Sequence, residues 1–99
     1  MITVATIQVR VASHFGCTVA ELRGHRRHRT LARARAIAMY LVRELTHSSF
    51  PEIGQRFGGK DHSSVMYACR RVAVDAGLLA EAQALAAELN PGTPATVSA

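Results

Sequence analysis

Apolar residues recur every three or four positions along most of this 99-residue chain. That spacing places them on one face of an α-helix. The longest stripe belongs to a helix predicted over 31–46 and consists of Leu31, Ala34, Ala38, Leu41 and Leu45. Shorter stripes of the same period predict helices over 4–15, 61–76 and 78–90. The alternation typical of strands is not convincing anywhere, so the predicted fold class is all-α.

Two capping boxes mark the starts of two short helices between these stripes. Thr18 is followed three residues later by Glu21, and Ser49 is followed three residues later by Glu52. In each pair the first side chain caps the helix, and the second reaches back to the N–H of the capping residue. Pro51 supports the second start, because its fixed φ suits the first turn of a helix. The sequence therefore predicts six helices.

The segment before the longest helix is strongly basic. Residues 25–29, His-Arg-Arg-His-Arg, are expected to form a loop, and Thr30 is expected to cap the helix that follows. Gly77 is expected to end the helix over 61–76 in the same way that glycine ends many helices. These boundaries place a basic loop directly before the central helix of the domain.

A pair of glycines, Gly58 and Gly59, separates the second short helix from the helix over 61–76. Two helices joined by a tight turn form a helix-turn-helix. The first turn of the second helix carries Asp61, His62, Ser63 and Ser64. Short side chains with hydrogen-bonding groups at a helix N-terminus fit the major groove of DNA, where base edges offer donors, acceptors and thymine methyls. The pattern therefore predicts a helix that reads DNA.

The charge of the chain supports a polyanionic partner. Twelve Lys and Arg residues stand against seven acids, for a net charge of +5. Residues 23–35 contain six arginines and no acid, whereas residues 74–99 contain no Arg or Lys. Such a concentration favours nucleic acid or an acidic membrane surface. The longest apolar run, 36–42, is too short to span a bilayer, and nothing resembles a signal peptide, so we expect a cytoplasmic protein.

Metal and catalytic sites are the rival interpretations of the histidines and cysteines. His14-x-x-Cys17 and His25-x-x-His28 have spacings that could form a zinc site, but arginines beside the second pair disfavour a dication. Cys17 and Cys69 are expected to be reduced residues of an apolar core. His62 lacks a neighbouring nucleophile apart from serines. We therefore predict no metal, no cofactor and no enzymatic activity.

Residues 58–70, Gly-Gly-Lys-Asp-His-Ser-Ser-Val-Met-Tyr-Ala-Cys-Arg, resemble a known signature. It is the Gly-Gly-Arg-Asp-His-Thr-Thr-Val-x-x-Ala-Cys motif in the C-terminal DNA-binding domain of the bacterial chromosomal replication initiator DnaA. The similarity extends upstream through 44–54 and the arginine cluster, and covers about 5–75. It implies a small helical bundle with a helix-turn-helix, of the TrpR and DnaA C-terminal type, that binds double-stranded DNA of the DnaA-box kind.

The resemblance also implies individual roles. Asp61, His62 and Ser63 would contact bases in the major groove, and Arg27 in the basic loop would enter the adjacent minor groove. From the residues alone Arg26 and Arg27 are equal candidates, and only the resemblance favours Arg27. The residues expected at the DNA backbone are Arg26, Arg35, Arg43, Pro51, Lys60 and Ser64.

Some positions depart from the family pattern. Ser63 and Ser64 replace threonines, and Lys60 replaces an arginine, so the recognised DNA site is expected to be altered or read less stringently. The ATPase portion of the initiator, with its phosphate loop, is absent from the sequence, so we expect no nucleotide binding here. We expect one monomeric domain over 1–90 and a loose tail over 91–99.

Two other functions remain open at this point. A stand-alone transcriptional or phage-type regulator could use the same module on DNA. An adaptor that kept the fold and lost DNA binding belongs to a different class, and its basic surface would be interrupted by acids. Residues 23–35 lack that feature.

Overall fold

The structure, a computed structural model, describes residues 2–26 and 28–89. Every regular element in this part of the chain is an α-helix, which confirms the all-α prediction. The helices are α1 (Val4–Phe15), α2 (Val19–Arg23), α3 (Arg29–Thr46), α4 (Phe50–Arg56), α5 (His62–Val74) and α6 (Ala76–Leu89). The predicted tail, 91–99, lies outside the described residues.

Helix α3 is the centre of the bundle, and the other five helices pack around it. Its predicted apolar stripe is buried except for Leu45, which is only partly covered. Ile37 and Val42, which the stripe omitted, are also fully buried. A helix with neighbours on several sides buries more than one face, so its apolar surface is wider than a single stripe. The largest fully buried side chain of the core, Phe57, comes from the turn after α4.

Both predicted capping boxes are present. The Thr18 hydroxyl accepts the Glu21 N–H at 3.0 Å, and the Glu21 carboxylate accepts the Thr18 N–H at 2.9 Å. Ser49 and Glu52 make the same reciprocal pair at 3.2 and 2.8 Å. These bonds satisfy N–H groups that a helix start otherwise leaves without partners.

Two predicted boundaries are wrong. Helix α3 begins at Arg29 and is capped by His28, whose Nδ1 accepts the Thr30 N–H at 3.3 Å. Thr30 is therefore inside the helix, and the loop before it ends at residue 28. Helix α5 ends at Val74 rather than 76, because the Asp75 carboxylate caps α6 by accepting the Leu78 N–H at 3.0 Å.

Helix α6 covers one side of the core with Leu78, Ala82 and Leu85. Glu81 bonds the outer face of α6 to two neighbouring helices. Its carboxylate lies 2.9 Å from Nε2 of His14 in α1 and forms an ion pair with Arg33 of α3 at 3.1 Å. One arginine of the basic cluster is therefore paired with an acid here.

Candidate nucleic-acid interface

A tight turn joins α4 to α5. Gly58 and Gly59 both have positive φ, at 84° and 80°, a region that favours glycine. The Gly54 carbonyl accepts the N–H groups of Phe57 at 3.2 Å, Gly59 at 3.0 Å and Lys60 at 2.8 Å. The predicted helix-turn-helix is thus present, and one carbonyl oxygen organises the turn.

Two glycines, Gly54 and Gly58, are required by close approaches of backbone atoms, and Gly58 also by its positive φ. A Cβ on Gly54 would run into the Lys60 carbonyl, and a Cβ on Gly58 would run into the Arg23 carbonyl. Both obstacles are backbone atoms that cannot move aside by a change of rotamer. The first glycine lets α4 lie against the start of α5, and the second lets the turn lie against the end of α2.

The start of α5 is capped by Asp61. Its carboxylate accepts the Ser63 N–H at 2.9 Å, and its carbonyl accepts the N–H groups of Ser64 and Val65. The Ser63 hydrogen bond holds the pKa of Asp61 below its ordinary value, with a smaller contribution from the neighbouring His62. Asp61 is therefore a carboxylate at neutral pH, with one oxygen engaged in the cap.

Three of the residues predicted to read bases form one exposed tip together with Ser64, which is predicted at the DNA backbone. Asp61, His62, Ser63 and Ser64 are all exposed, whereas Val65 directly after them is fully buried. Val72, two turns along, is buried in the same core, so α5 is anchored along one side and free at its start. We call residues 61–64 the recognition tip. Its hydrogen-bonding groups face solvent, as a base-reading surface requires.

A basic cleft lies beside the recognition tip. One side of it comes from the loop after α2 and the start of α3, and the other from the residues at the start of α5. The lining residues are His25, Arg26, His28, Arg29, Ala32, Arg35, Lys60 and Ser64. The cleft therefore brings together the two segments that the sequence predicts to enter neighbouring grooves.

Lys60 lines this cleft and is partly buried. Its ammonium group donates to the carbonyl oxygens of Arg23 at 3.0 Å, Gly24 at 2.7 Å and Phe57 at 2.5 Å. An ammonium has three N–H donors, so these three bonds use all of them. Burial lowers the pKa of Lys60, and the positive charge of Arg35 lowers it further. The predicted phosphate contact of Lys60 stays a prediction beside this internal role.

Arg35 also points at backbone carbonyls. Its Nε donates to Leu22 at 2.9 Å, and its two terminal nitrogens donate to Glu21 at 2.8 Å and Arg26 at 2.6 Å. Burial lowers the pKa of its guanidinium. A guanidinium has five N–H donors, so two remain for another partner. Arg35 can therefore hold the end of α2 and a phosphate at once.

The other predicted backbone residues are spread along the surface. Arg26 is exposed in the loop, 3.6 Å from the Glu21 carboxylate. Arg43 donates to the Ser48 carbonyl at 2.8 Å and lies 4.2 Å above the Phe50 ring, near the start of α4 where Pro51 is exposed. Neither Arg43 nor Pro51 lines the basic cleft. Arg27, the predicted minor-groove residue, lies outside the described residues.

Three polar residues of the cleft, His25, His28 and Arg29, have no individual role in the sequence prediction. Arg29 is predicted as part of the basic loop, yet it starts α3 and lines the cleft. These residues lie more than thirty positions from the recognition tip along the chain, so no local sequence pattern could place them beside it. The signal in the sequence that points to a role in DNA binding is their position within the acid-free arginine cluster.

The rival zinc site does not form among the described residues. His14, one member of the predicted quartet, is bonded to Glu81, and the described residues contain no group of three His, Cys, Asp or Glu side chains placed to hold a metal ion. Within 2–26 and 28–89, none of the helices is long and apolar enough to span a membrane.

The comparisons with known proteins agree with this geometry. The family described as the bacterial DnaA protein helix-turn-helix matches residues 4–72. The chromosomal replication initiator protein DnaA of Zymomonas mobilis is 49% identical over 71 residues, which cover 72% of this chain and 15% of that protein. The protein of the same name from Latilactobacillus sakei is 51% identical over 71 residues, with 72% and 16% covered. That from Symbiobacterium thermophilum is 49% identical over 74 residues, with 75% and 16% covered. The chain thus spans about a sixth of the length of these relatives.

Proposed function

Because the chain belongs to the bacterial DnaA helix-turn-helix family, we propose that it binds double-stranded DNA in a sequence-specific manner. In this proposal α5 enters the major groove and the loop after α2 enters the neighbouring minor groove. The observation that carries the proposal is the exposed recognition tip beside an acid-free basic cleft. Base-reading and phosphate-binding groups are then presented on adjoining surfaces, as a DNA reader needs.

The chemistry of the tip suits base edges in the major groove. The free oxygen of Asp61 can accept a hydrogen bond from the amino group of cytosine. His62 can donate to or accept from a purine edge through its ring nitrogens, and the Ser63 hydroxyl can do either with any base. Ser64, on the cleft side of the tip, is placed for the groove edge.

The DNA backbone would be held from both sides of the recognition tip. Arg26 and the two remaining donors of Arg35 serve the cleft side, and Arg43 with the exposed Pro51 serves the start of α4. Arg27 is proposed to enter the minor groove, where a narrow, electronegative groove attracts arginine. Lys60 also lines the cleft, where its ammonium group bonds backbone carbonyls.

The biological setting that best fits the family is recognition of an initiator-type DNA box, with no catalysis by this domain. The relatives are named chromosomal replication initiators, and this chain matches about a sixth of each. We propose that the domain acts as a monomer in the cytoplasm, on chromosomal DNA. A regulator that uses the same module would bind through the same surface.

The test begins with duplexes enriched from a random pool by the wild-type chain. His62→Ala should weaken binding to the enriched duplex by about 1–3 kcal/mol and leave binding to random duplexes nearly unchanged. His14→Ala is the matched control, because it is the same substitution at a histidine that bonds Glu81 of α6 and belongs to neither the recognition tip nor the basic cleft. Failure to enrich any sequence would contradict specific binding, and equal losses on both duplexes would remove His62 from base reading.

A further inference from the structure

Two cations from different parts of the fold converge on the end of α2. Lys60, from the turn before α5, donates to the carbonyls of Arg23 and Gly24, and Arg35, from the middle of α3, donates to those of Glu21, Leu22 and Arg26. The last carbonyls of a helix lack partners within it. Here they accept hydrogen bonds from Arg35, 13 residues from Leu22 along the chain, and from Lys60, 36 residues from Gly24.

We propose that Lys60 is a positioning residue, which fixes the loop after α2 relative to the recognition tip, so that the two groove contacts are made at one fixed separation. This inference rests on the proposed function. It assigns Lys60 a role different from the phosphate contact that the sequence predicts. Arg35 assists from the other side, through its bond to the Arg26 carbonyl inside the loop itself.

The location of Lys60 makes this role specific. Its own backbone N–H is bonded to Gly54 in the turn, and the next residue, Asp61, caps α5. Its side chain also bonds Phe57 at the end of α4. One residue therefore joins the turn, the recognition tip and the end of α2. The close approach of Gly58 to the Arg23 carbonyl brings these parts together.

A phosphate would compete poorly for this ammonium group. Its three N–H donors are all engaged, and turning it outward would leave partly buried carbonyls without partners, which costs free energy. Arg26, by contrast, is exposed, and its guanidinium lies 3.6 Å from the Glu21 carboxylate. Removal of the Lys60 charge and removal of the Arg26 charge are thus expected to change DNA binding in different ways.

The consequence for binding concerns spacing along the duplex. Insertion of one base pair between the minor-groove and major-groove elements of a site separates them by about 3.4 Å and rotates them by about 35°. A rigid connection cannot follow that change, so the inserted site should lose one set of contacts. Wild-type affinity should then fall roughly tenfold or more, as for a mismatched site.

The experiment compares wild type, Lys60→Met and the control Arg26→Gln on two duplexes. The first is the duplex enriched by the wild-type chain, and the second is the same duplex with one inserted base pair. Affinities are measured between about 50 and 200 mM salt, the range over which phosphate contacts change affinity strongly. Circular dichroism checks that each variant is folded. If Lys60→Met is unfolded, Lys60→Gln, which keeps two N–H donors, replaces it in both measurements.

For Lys60→Met we expect the penalty for the inserted base pair to shrink to about threefold or less, whereas the slope of log K against log salt stays within about 0.3 of wild type. Arg26→Gln should keep the penalty and lose about 0.9 from the slope, the value for one phosphate contact. A Lys60 variant that keeps the penalty, or that loses about 0.9 from the slope, overturns the inference. If wild type itself tolerates the insertion, the connection is not rigid and the inference fails. Methylation protection in both grooves of the uninserted duplex then shows whether the proposed two-groove binding still holds.

Discussion

Replacement of Gly54 by alanine should destabilise the domain, although alanine is the better helix former. Gly54 lies inside α4, where alanine alone would be favoured by about 1 kcal/mol. Its new Cβ, however, would run into the Lys60 carbonyl. Relief of that overlap costs typically 1–3 kcal/mol for overpacking. The movement that relieves the overlap also disturbs the hydrogen bonds from the Gly59 and Lys60 N–H groups to the Gly54 carbonyl. Each of these bonds contributes about 1 kcal/mol to the free energy of unfolding.

The net loss is therefore about 2–4 kcal/mol, after the helix preference of alanine is subtracted. For a domain of this size, each kcal/mol corresponds to roughly 4–8 °C in Tm, so the variant should melt about 8–30 °C below wild type. The assay is thermal unfolding followed by circular dichroism at 222 nm, with urea unfolding at 25 °C as a second measure. Because the overlap distorts the turn before the recognition tip, the variant should also bind DNA more weakly at temperatures at which it is folded.

Gly77→Ala is the matched control, because it is the same substitution in another helix. Gly77 lies in the first turn of α6, and its Cβ would meet only the Asp75 carboxylate, at an ordinary contact distance of 3.4 Å. This variant should gain up to about 1 kcal/mol. A Gly54→Ala protein as stable as wild type, or equal losses in both variants, would refute the packing argument.

Further outcomes follow from charge and burial. Hydrogen bonds from N–H groups lower the pKa values of Glu21, Glu52 and Asp61. The stability that these carboxylates contribute is present above their unfolded pKa values, about 4, and is lost as pH falls through the lower folded pKa values. Urea unfolding at pH 6, 4 and 3 should show this decline in stability, and a constant stability would contradict it. Burial raises the pKa of Cys69 to about 11, so its alkylation at pH 8 should be over a hundredfold slower than in urea, and equal rates would contradict a buried thiol. If about five phosphates are neutralised, log K should fall with log salt at a slope near −4.5, and a flat response would argue against DNA as the partner.

The features that sequence predicted well are those set by neighbouring residues. The Thr18 and Ser49 boxes depend on partners three residues away, and the recognition tip follows from a glycine turn and an N-cap. The sequence prediction is wrong where a helix-ending signal and a helix-starting signal lie side by side. Gly77 looked like a helix stop, but the carboxylate of Asp75 starts a new helix there.

The features that sequence could not supply depend on distant contacts. Lys60 is expected at the DNA backbone because the family resemblance implies that role. Its carbonyl partners lie up to 37 residues away, and only the folded chain shows that Arg23 and Gly24 are within reach. The cleft between the loop and α5 has the same origin, since His25 and Ser64 meet only after folding.

Methylation protection on the enriched duplex tests the central claim most directly. Dimethyl sulfate modifies guanine at N7 in the major groove and adenine at N3 in the minor groove, so one experiment reports on both grooves. We predict that the bound protein protects guanine N7 atoms over one short stretch and adenine N3 atoms over the adjacent stretch. At saturating protein, His62→Ala should weaken the guanine N7 protection and leave the adenine N3 protection unchanged. Protection confined to one groove, or absent from both, would contradict a domain that reads the major groove with the recognition tip and the minor groove with its basic loop.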